Sequence, residues 1–188
     1  MTATRIFIDT DIGDDVDDAL AIALAVLSPE LTLTGVSTTY GNVSARQQLA
    51  VQLLEQLGAK VPVAAGIGQS LRFQADTSAL PHQCRVIGDP PPGAEGRHGV
   101  ELLIETLRQD PETVIVALGP LTNIAAAVLL APDVMRRANI VLMGGAFRAA
   151  YPEYNILCDP EAANIVLQSG AAIRMIGLDV TVPCVLSK

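Results

Sequence analysis

The sequence contains few aromatic residues, few lysines and few cysteines. Three phenylalanines, three tyrosines and no tryptophan leave little side-chain area for stacking against planar rings. Only two lysines occur, Lys60 and Lys188, which argues against a site built on a phosphate-binding lysine. The three cysteines, Cys84, Cys158 and Cys184, are widely spaced and odd in number. They form neither a disulfide framework nor a zinc-binding pattern, so we expect reduced thiols.

Long apolar segments are also scarce. The longest hydrophobic runs, such as residues 19–27, are too short to cross a bilayer, and the N-terminal residues carry no signal-peptide pattern. Half of the 188 residues are hydrophobic, and a chain of this length can bury a substantial core. A net charge of −8 argues against nucleic acids and anionic membranes as partners. We expect a soluble, cytoplasmic protein in which residues 1–188 form one domain.

Short β-branched runs alternate with helical patterns along most of the chain. Strands are predicted at residues 5–9, 31–39, 61–65, 113–118, 139–143 and 172–178. Helices are predicted at residues 16–27, 45–57, 100–108, 121–130 and 161–168. Near-continuous apolar strands of this kind are typical of parallel sheets that are covered on both faces. The alternation predicts a doubly wound α/β fold, with a mostly parallel sheet and helices on both faces. The proline-rich residues 69–97 are predicted to be irregular.

Six of the twenty acidic residues lie between Asp9 and Asp18, directly after the first predicted strand. Ligands bind at the carboxyl ends of strands in open α/β sheets, so this loop is a candidate site. A solvated turn followed by a helix start explains two or three of these acids through the helix dipole. A hard divalent cation held by carboxylate oxygens, Ca²⁺ or Mg²⁺, explains a larger share of them.

Three other acidic patterns fit this loop less well. An EF-hand requires acidic residues where the sequence has Gly13 and Leu20. A phosphotransferase with an Asp-x-Asp motif needs a downstream lysine, and Lys60 is poorly placed at a strand start, so this function is a less favoured alternative. A helical diphosphate site is disfavoured by Gly13 and by the preceding strand.

Five short motifs follow one another along nearly the whole chain. They are DTDIGDDVDDALA (residues 9–21), YGNV (40–43), ALGPLTNIA (117–125), MGGA (143–146) and EYNILCDPEA (153–162). In this order they resemble the signatures of the inosine-uridine preferring nucleoside hydrolases. The resemblance implies the fold of that family with its C-terminal part missing from this chain. It also implies hydrolysis of the N-glycosidic bond of a small ribonucleoside, with a bound Ca²⁺ as cofactor.

The resemblance assigns the metal ligands and the catalytic base. Asp11 matches the family's general base and is also a ligand, and Thr122 matches the residue that binds the cation through its backbone carbonyl. The acidic loop contains two Asp-Asp pairs, and the family's pair is followed directly by Ala-Leu-Ala. This selects Asp17 and Asp18, with Asp18 as a metal ligand and Asp17 as a hydrogen-bonding partner of the ribose. Asp9 resembles a carboxylate that lies behind these ligands.

The resemblance also assigns the sugar-binding residues. Asn42, Met143, Glu153 and Asn155 match positions that contact the ribose. Without the resemblance, Asn42 is equally compatible with a turn, and Met143 is more typical of a core. The family is usually dimeric or tetrameric, which by analogy implies a homo-oligomer.

The sequence departs from the family pattern in two places. Residues 146–151 lack the family's Gly-Asn step that reaches the 5′-hydroxyl. Family chains also continue beyond residues 177–181 and supply a His-Asp pair there. This chain has only His82 and His98, each interpreted as a surface loop residue. The alternative hypothesis is therefore a catalytically incomplete fragment that binds a metal or ribose.

Overall fold

The computed structural model describes residues 3–87, 96–148 and 151–185. Within these ranges six parallel strands form one sheet. The strands are Thr4–Thr10 (β1), Leu31–Thr38 (β2), Val63–Ala65 (β3), Val114–Ala117 (β4), Asn139–Met143 (β5) and Ala172–Ile176 (β6). The helices are Asp17–Leu27 (α1), Val43–Gln56 (α2), Cys84–Ile87 (α3), Gly99–Gln109 (α4), Thr122–Leu130 (α5), Pro132–Met135 (α6), Tyr154–Cys158 (α7), Pro160–Leu167 (α8) and Leu178–Thr181 (α9).

The central strand β1 shows why helices cover both faces of the sheet. Successive side chains of a strand point to opposite faces. Phe7 belongs to one buried cluster, which includes residues of α4, α5 and α8, whereas Ile6 and Ile8 belong to another, with residues of α1 and α2. Two apolar layers therefore flank the sheet, and the predicted doubly wound α/β fold is confirmed.

The strand order β3-β2-β1-β4-β5-β6 reverses direction at β1. The chain builds outward from β1 through β2 to β3, returns to pair β4 with the other side of β1, and continues to β6. Loops leaving β1 and β4 therefore diverge to opposite faces and leave a crevice at their carboxyl ends. Ligands of doubly wound folds bind in such a crevice.

The predicted strands and the five predicted helices are all present, with shifted ends. β3 begins at Val63, after Pro62, which lacks an N–H for strand pairing but whose carbonyl accepts a hydrogen bond from Val36 N. β6 ends at Ile176, two residues earlier than predicted, because α9 begins at Leu178. Four further helices, α3, α6, α7 and α9, were not predicted, because they have only four or five residues each and show no clear periodicity.

The proline-rich segment is irregular from residue 69 to residue 83, as predicted, and then forms α3. Its residues 88–95 lie outside the described ranges. No helix within those ranges combines the length and apolar character needed to span a membrane.

Candidate active site

The carboxyl ends of β1 and β4 bring the acidic loop against the loop that follows β4. Leu118 N donates a hydrogen bond to Asp9 O over 2.8 Å, which extends the pairing of the two strands. Gly119 then passes so close to Asp11 that a Cβ on Gly119 would lie 2.6 Å from Asp11 Oδ1. Only glycine allows this approach without moving Asp11. At the crevice of the sheet, the loop after β4 therefore lies directly against the Asp11 carboxylate.

Asp11 and Asp18 form a closely coupled pair of carboxylates. Burial raises the pKa of Asp11, and the charge of Asp18 raises it further. Burial also raises the pKa of Asp18, although Thr10 Oγ1 donates a 2.6 Å hydrogen bond to Asp18 Oδ1 and thereby favours the ionised form. Two largely desolvated carboxylates, one of which also disfavours ionisation of the other, form an arrangement that a cation would stabilise.

The two Asp-Asp pairs of the acidic loop face different partners. Asp14 accepts a hydrogen bond from Arg46 Nη2 at 2.9 Å and another from His82 N at 3.2 Å. The charge of Asp18 acts on Asp11, as does that of Asp14 more weakly, and exposed Asp17 begins α1. The selection of Asp17 and Asp18 as the pair in the site, and the contact of Asp17 with ribose, stay predictions.

Asp9 lies fully buried below Asp11. Its Oδ1 accepts hydrogen bonds from Ser37 Oγ and from Asn123 Nδ2, the latter at 2.7 Å. Within the described part of the chain, its Oδ2 has no hydrogen-bond partner. Burial raises the pKa of Asp9 to about 7 against the opposing effect of these two donors. Burial thus favours the protonated, neutral form of Asp9.

Thr122 is the first residue of α5 and is fully buried. Its Oγ1 donates a 2.6 Å hydrogen bond to Asp159 Oδ2. Asp159 also accepts hydrogen bonds from Ala162 N, in the first turn of α8, and from Leu71 N of the irregular segment. The hydroxyl of Thr122 is thus bound within the protein. The cation contact through its backbone carbonyl, which the family resemblance implies, stays a prediction.

Asn155, Met143 and Glu153 lie together at the ends of β4 and β5. Asn155 Nδ2 donates to Leu118 O at 2.6 Å and to Met143 O at 3.2 Å. Glu153 is the N-cap of α7, and its carboxylate accepts hydrogen bonds from Asn155 N, Ile156 N and Gly145 N. The structure therefore brings these three predicted residues together, although their contact with ribose is untested.

Asn42 occupies a helix-capping position. Its Oδ1 accepts a 3.1 Å hydrogen bond from Ala45 N and so begins α2. The turn-forming role that the sequence also allowed is present, and the predicted sugar contact stays a prediction. The preceding Tyr40 has a positive φ of 60°, and its ring meets Tyr154 edge-on at a centroid distance of 6.4 Å.

The sequence profile of the inosine-uridine preferring nucleoside hydrolases matches residues 6–188. The chain belongs to this family.

Relatives of the chain carry names that indicate different nucleosides. A probable uridine nucleosidase of Arabidopsis thaliana is 40% identical over 94% of this chain and 60% of its own length. A pyrimidine-specific ribonucleoside hydrolase of Escherichia coli is 35% identical, over 96% of this chain and 61% of its own. The solved structure of a purine-preferring ribonucleoside hydrolase from Gardnerella vaginalis matches with a TM-score of 0.82 at 36% identity, covering 98% of this chain and 64% of that one.

The chain thus spans about three fifths of the length of the curated nucleoside hydrolases that it matches. These relatives are named for uridine, pyrimidine and purine substrates.

The donor chemistry of the candidate site fits a hard cation. Asp11, Asp18 and the carbonyl of Thr122 offer only oxygen atoms, the ligands that Ca²⁺ prefers. Ca²⁺ takes six to eight such ligands, so water and substrate hydroxyls would have to complete the shell. Across the described ranges, no three side chains of His, Cys, Asp or Glu come together as a metal-binding group.

Of the two histidines of the chain, His82 lies near Asp14 and His98 caps a helix. His82 is 70% exposed, and its Nδ1 lies 3.5 Å from Asp14 Oδ1. His98 is exposed and caps α4 by accepting a hydrogen bond from Val100 N. Both lie in or beside the irregular segment, as expected for surface loop residues.

Sequence reasoning missed three residues that support the site, namely Arg46, Asn123 and Asp159. Asn123 and Asp159 lie inside two of the family motifs, which was the available signal. Asn123 is fully buried and joins Asp9 to the carbonyl of Thr38 and the N–H of Ile67. Arg46 carries no comparable signal, because an arginine in the first turns of a helix is ordinarily exposed.

Proposed function

We propose that the protein hydrolyses the N-glycosidic bond of ribonucleosides to give ribose and the free base, using a Ca²⁺-bound water. The observation that supports this proposal most is the paired Asp11 and Asp18 carboxylates at the crevice of the sheet, in a chain of the nucleoside hydrolase family. When bound, the cation would lower the pKa of its water and orient the sugar hydroxyls. Asp11, Asp18 and the carbonyl of Thr122 would hold it.

Asp11 acts as the general base in this proposal. A bound cation would favour the ionised form of Asp11, which is the form that can accept a proton from water. The water oxygen forms a bond to the anomeric carbon while the bond to the base breaks. The bonding pair of electrons leaves with the base, which must also gain a proton. The negative charge of the carboxylate cluster stabilises the oxocarbenium-like transition state.

The sugar-binding residues would fix the anomeric carbon next to this water. Asn155 and Glu153 are held by hydrogen bonds to the backbone at the ends of β4 and β5, so little motion is lost when the substrate binds. Asp17, Asn42 and Met143 complete the ribose contacts in the proposal. We also propose a homodimer or homotetramer located in the cytoplasm, a location with which three free cysteines agree.

The first test measures reducing-sugar release from uridine and from inosine, with Ca²⁺ and after chelation. We expect Ca²⁺-dependent release by the wild type and a loss of at least about 100-fold in the D11N variant, because general-base catalysis contributes 10²–10⁴-fold. The D15N variant removes the same charge from the same loop at an exposed residue and serves as the control. Absence of release by the wild type under every condition would contradict the proposal.

A second candidate function is binding of a metal or ribose without hydrolysis. It is favoured by the small number of protein ligands, since the proposed set holds only two carboxylates and one carbonyl. Calorimetric titration with Ca²⁺ and with ribose distinguishes the two candidates, because a binding fragment gives heat without sugar release. The phosphotransferase alternative loses its support, since Lys60 is exposed before β3, at the amino end of the sheet.

A further inference from the structure

Arg46 is a buried charged residue beside the candidate active site. It lies in the first turns of α2, and only 6% of its side chain is exposed. Arginine is almost never fully buried unless its charge is paired and its donors are satisfied. At this position the charge and the N–H donors of the arginine therefore need partners within the protein, which an exposed helix residue does not need.

The guanidinium of Arg46 is bound to two separate loops. Its Nη1 donates to Asp11 O and, at 2.9 Å, to Ile12 O in the acidic loop. Its Nε donates to Tyr40 O at 2.8 Å, in the turn after β2. Its Nη2 binds Asp14 Oδ2 at 2.9 Å. Four of the five N–H donors of arginine are thus used, three of them on backbone carbonyls.

Arg46 contacts two residues, Asp11 and Tyr40, whose positions are tightly constrained. Asp11 is the proposed base, and it lies so close to Gly119 that a Cβ at that position would meet both its side chain and its backbone N. Tyr40 holds a left-handed backbone conformation, which is uncommon for a residue other than glycine and persists only where its surroundings impose it. A second bond, from Tyr40 N to Ile67 O at 3.0 Å, holds the peptide group on the other side of this residue.

We propose that Arg46 is a positioning residue, which locks the Asp11 loop to the Tyr40 turn and so fixes the carboxylate of Asp11 for its reaction. This role rests on the proposed function. Asp14 anchors the guanidinium from the solvent side, which explains why the loop contains more carboxylates than a cation requires. Only the planar, forked guanidinium reaches all four acceptors, so that charge alone is insufficient.

The main test replaces Arg46 by lysine, which keeps the charge and removes the fork. We expect R46K to lower kcat for uridine by about 10- to 100-fold, with a smaller change in KM and weaker calorimetric Ca²⁺ binding. R72K is the matched control, since Arg72 forms a single exposed ion pair with Glu161 at 2.8 Å. Its kcat, KM and Ca²⁺ affinity should stay within about twofold of the wild type.

A second comparison remains valid even if R46K fails to fold, as judged by circular dichroism. D14N and D15N each remove one negative charge from the same loop, but only Asp14 contacts Arg46. We expect D14N to lower kcat at least threefold more than D15N does. Equal effects of D14N and D15N would mean that only charge matters and would contradict the positioning role.

The results also separate this inference from the proposed function. If the wild type releases no sugar, the proposed function fails and the positioning role fails with it. If the wild type is active and R46K matches R72K in kcat, the positioning role alone is wrong. If addition of methylguanidinium to an R46A variant restores kcat without changing its melting temperature, the role is positioning and not general stability.

Discussion

At the scale of single residues, the candidate site is defined by buried carboxylates whose ionised forms are disfavoured. Asp9, Asp11 and Asp18 all have raised pKa values, and burial is the largest cause for each. Asp14 of the same loop has a lowered pKa instead; burial opposes this shift, but the hydrogen bond from Arg46 outweighs it together with the other contacts. The residues with raised pKa values are those for which a cation would offset the cost of burial.

A first consequence is a pH-dependent stability that can be assigned to Asp9. Its pKa is near 3.8 in the unfolded chain and about 7 in the folded one, so its contribution is fully present below pH 3.8. The contribution is lost as pH rises through 7, because the folded state must then ionise a buried group. Each pH unit in this window costs about 1.4 kcal/mol.

We therefore expect D9N, which mimics the protonated acid, to gain stability relative to the wild type as pH rises from 4 to 8. Urea unfolding of the metal-free proteins at several pH values measures this difference in free energy. The exposed variant D15N should show no such trend. A difference between D9N and the wild type that is independent of pH would show that Asp9 is ionised in the folded protein throughout.

At the scale of elements, three residues in or beside the site are also N-caps of helices. Asn42 caps α2, Glu153 caps α7 and Asp159 caps α8, each by accepting hydrogen bonds from free N–H groups at the helix start. The loops that carry the site are therefore tied to the helices that follow them. This rigidity lowers the entropic cost of holding a substrate in one orientation.

The close approach of the β1 and β4 loops gives a prediction at this scale. In G119A, the new Cβ would meet Asp11 Oδ1 at 2.6 Å and Asp11 N at 2.9 Å, so Asp11 must move. We expect a loss of about 100-fold in kcat/KM, which a displacement near 1 Å can cause. Steady-state kinetics with uridine measures the effect.

G58A provides the control for this prediction. Gly58 has no heavy atom within 4 Å of a built Cβ but has a positive φ of 70°. G58A should therefore lower stability by about 1–2 kcal/mol and leave kcat/KM unchanged. If G119A keeps wild-type kinetics, the placement of Asp11 against Gly119 is not required for the reaction.

At the scale of the whole molecule, the chain spans about three fifths of its relatives' length and still forms a sheet with an apolar core on both faces. The acidic loop lies at the centre of this sheet, between β1 and β4. A cation bound there would contact parts of the chain that are far apart in sequence and would oppose unfolding of the entire domain.

We accordingly expect Ca²⁺ to raise the melting temperature of the protein. A ligand that binds only the folded state adds about 2.7 kcal/mol at a concentration of 100 times its Kd. Differential scanning calorimetry with Ca²⁺ and with chelator measures the shift. D18N, which lacks one proposed ligand, should lose most of it, and an equal shift in D18N and the wild type would place the cation elsewhere.

The sequence by itself determined the order of the six strands and of the five longer helices, the mostly parallel sheet and the family. These properties depend on local hydrophobic periodicity and on short motifs, which are encoded within a few neighbouring residues. The sequence also placed polar residues directly after β1, β2 and β4 and two glycines after β5, and the carboxyl ends of parallel strands gather at one edge. The clustering of Asp11, Asp18, Met143, Glu153 and Asn155 at that edge was therefore predictable.

Only the tertiary structure decided which side chains meet and how each charge is balanced. Asn123 contacts Asp9 across 114 residues of sequence, and Arg46 reaches Asp11 across 35. Such pairs depend on the strand order and on helix placement, which no local pattern records. The same holds for Asp14, which resembles Asp18 in sequence but faces Arg46 because the turn at Gly13 directs it outward. Burial and partner geometry, which arise only in the folded chain, separate these chemically identical residues.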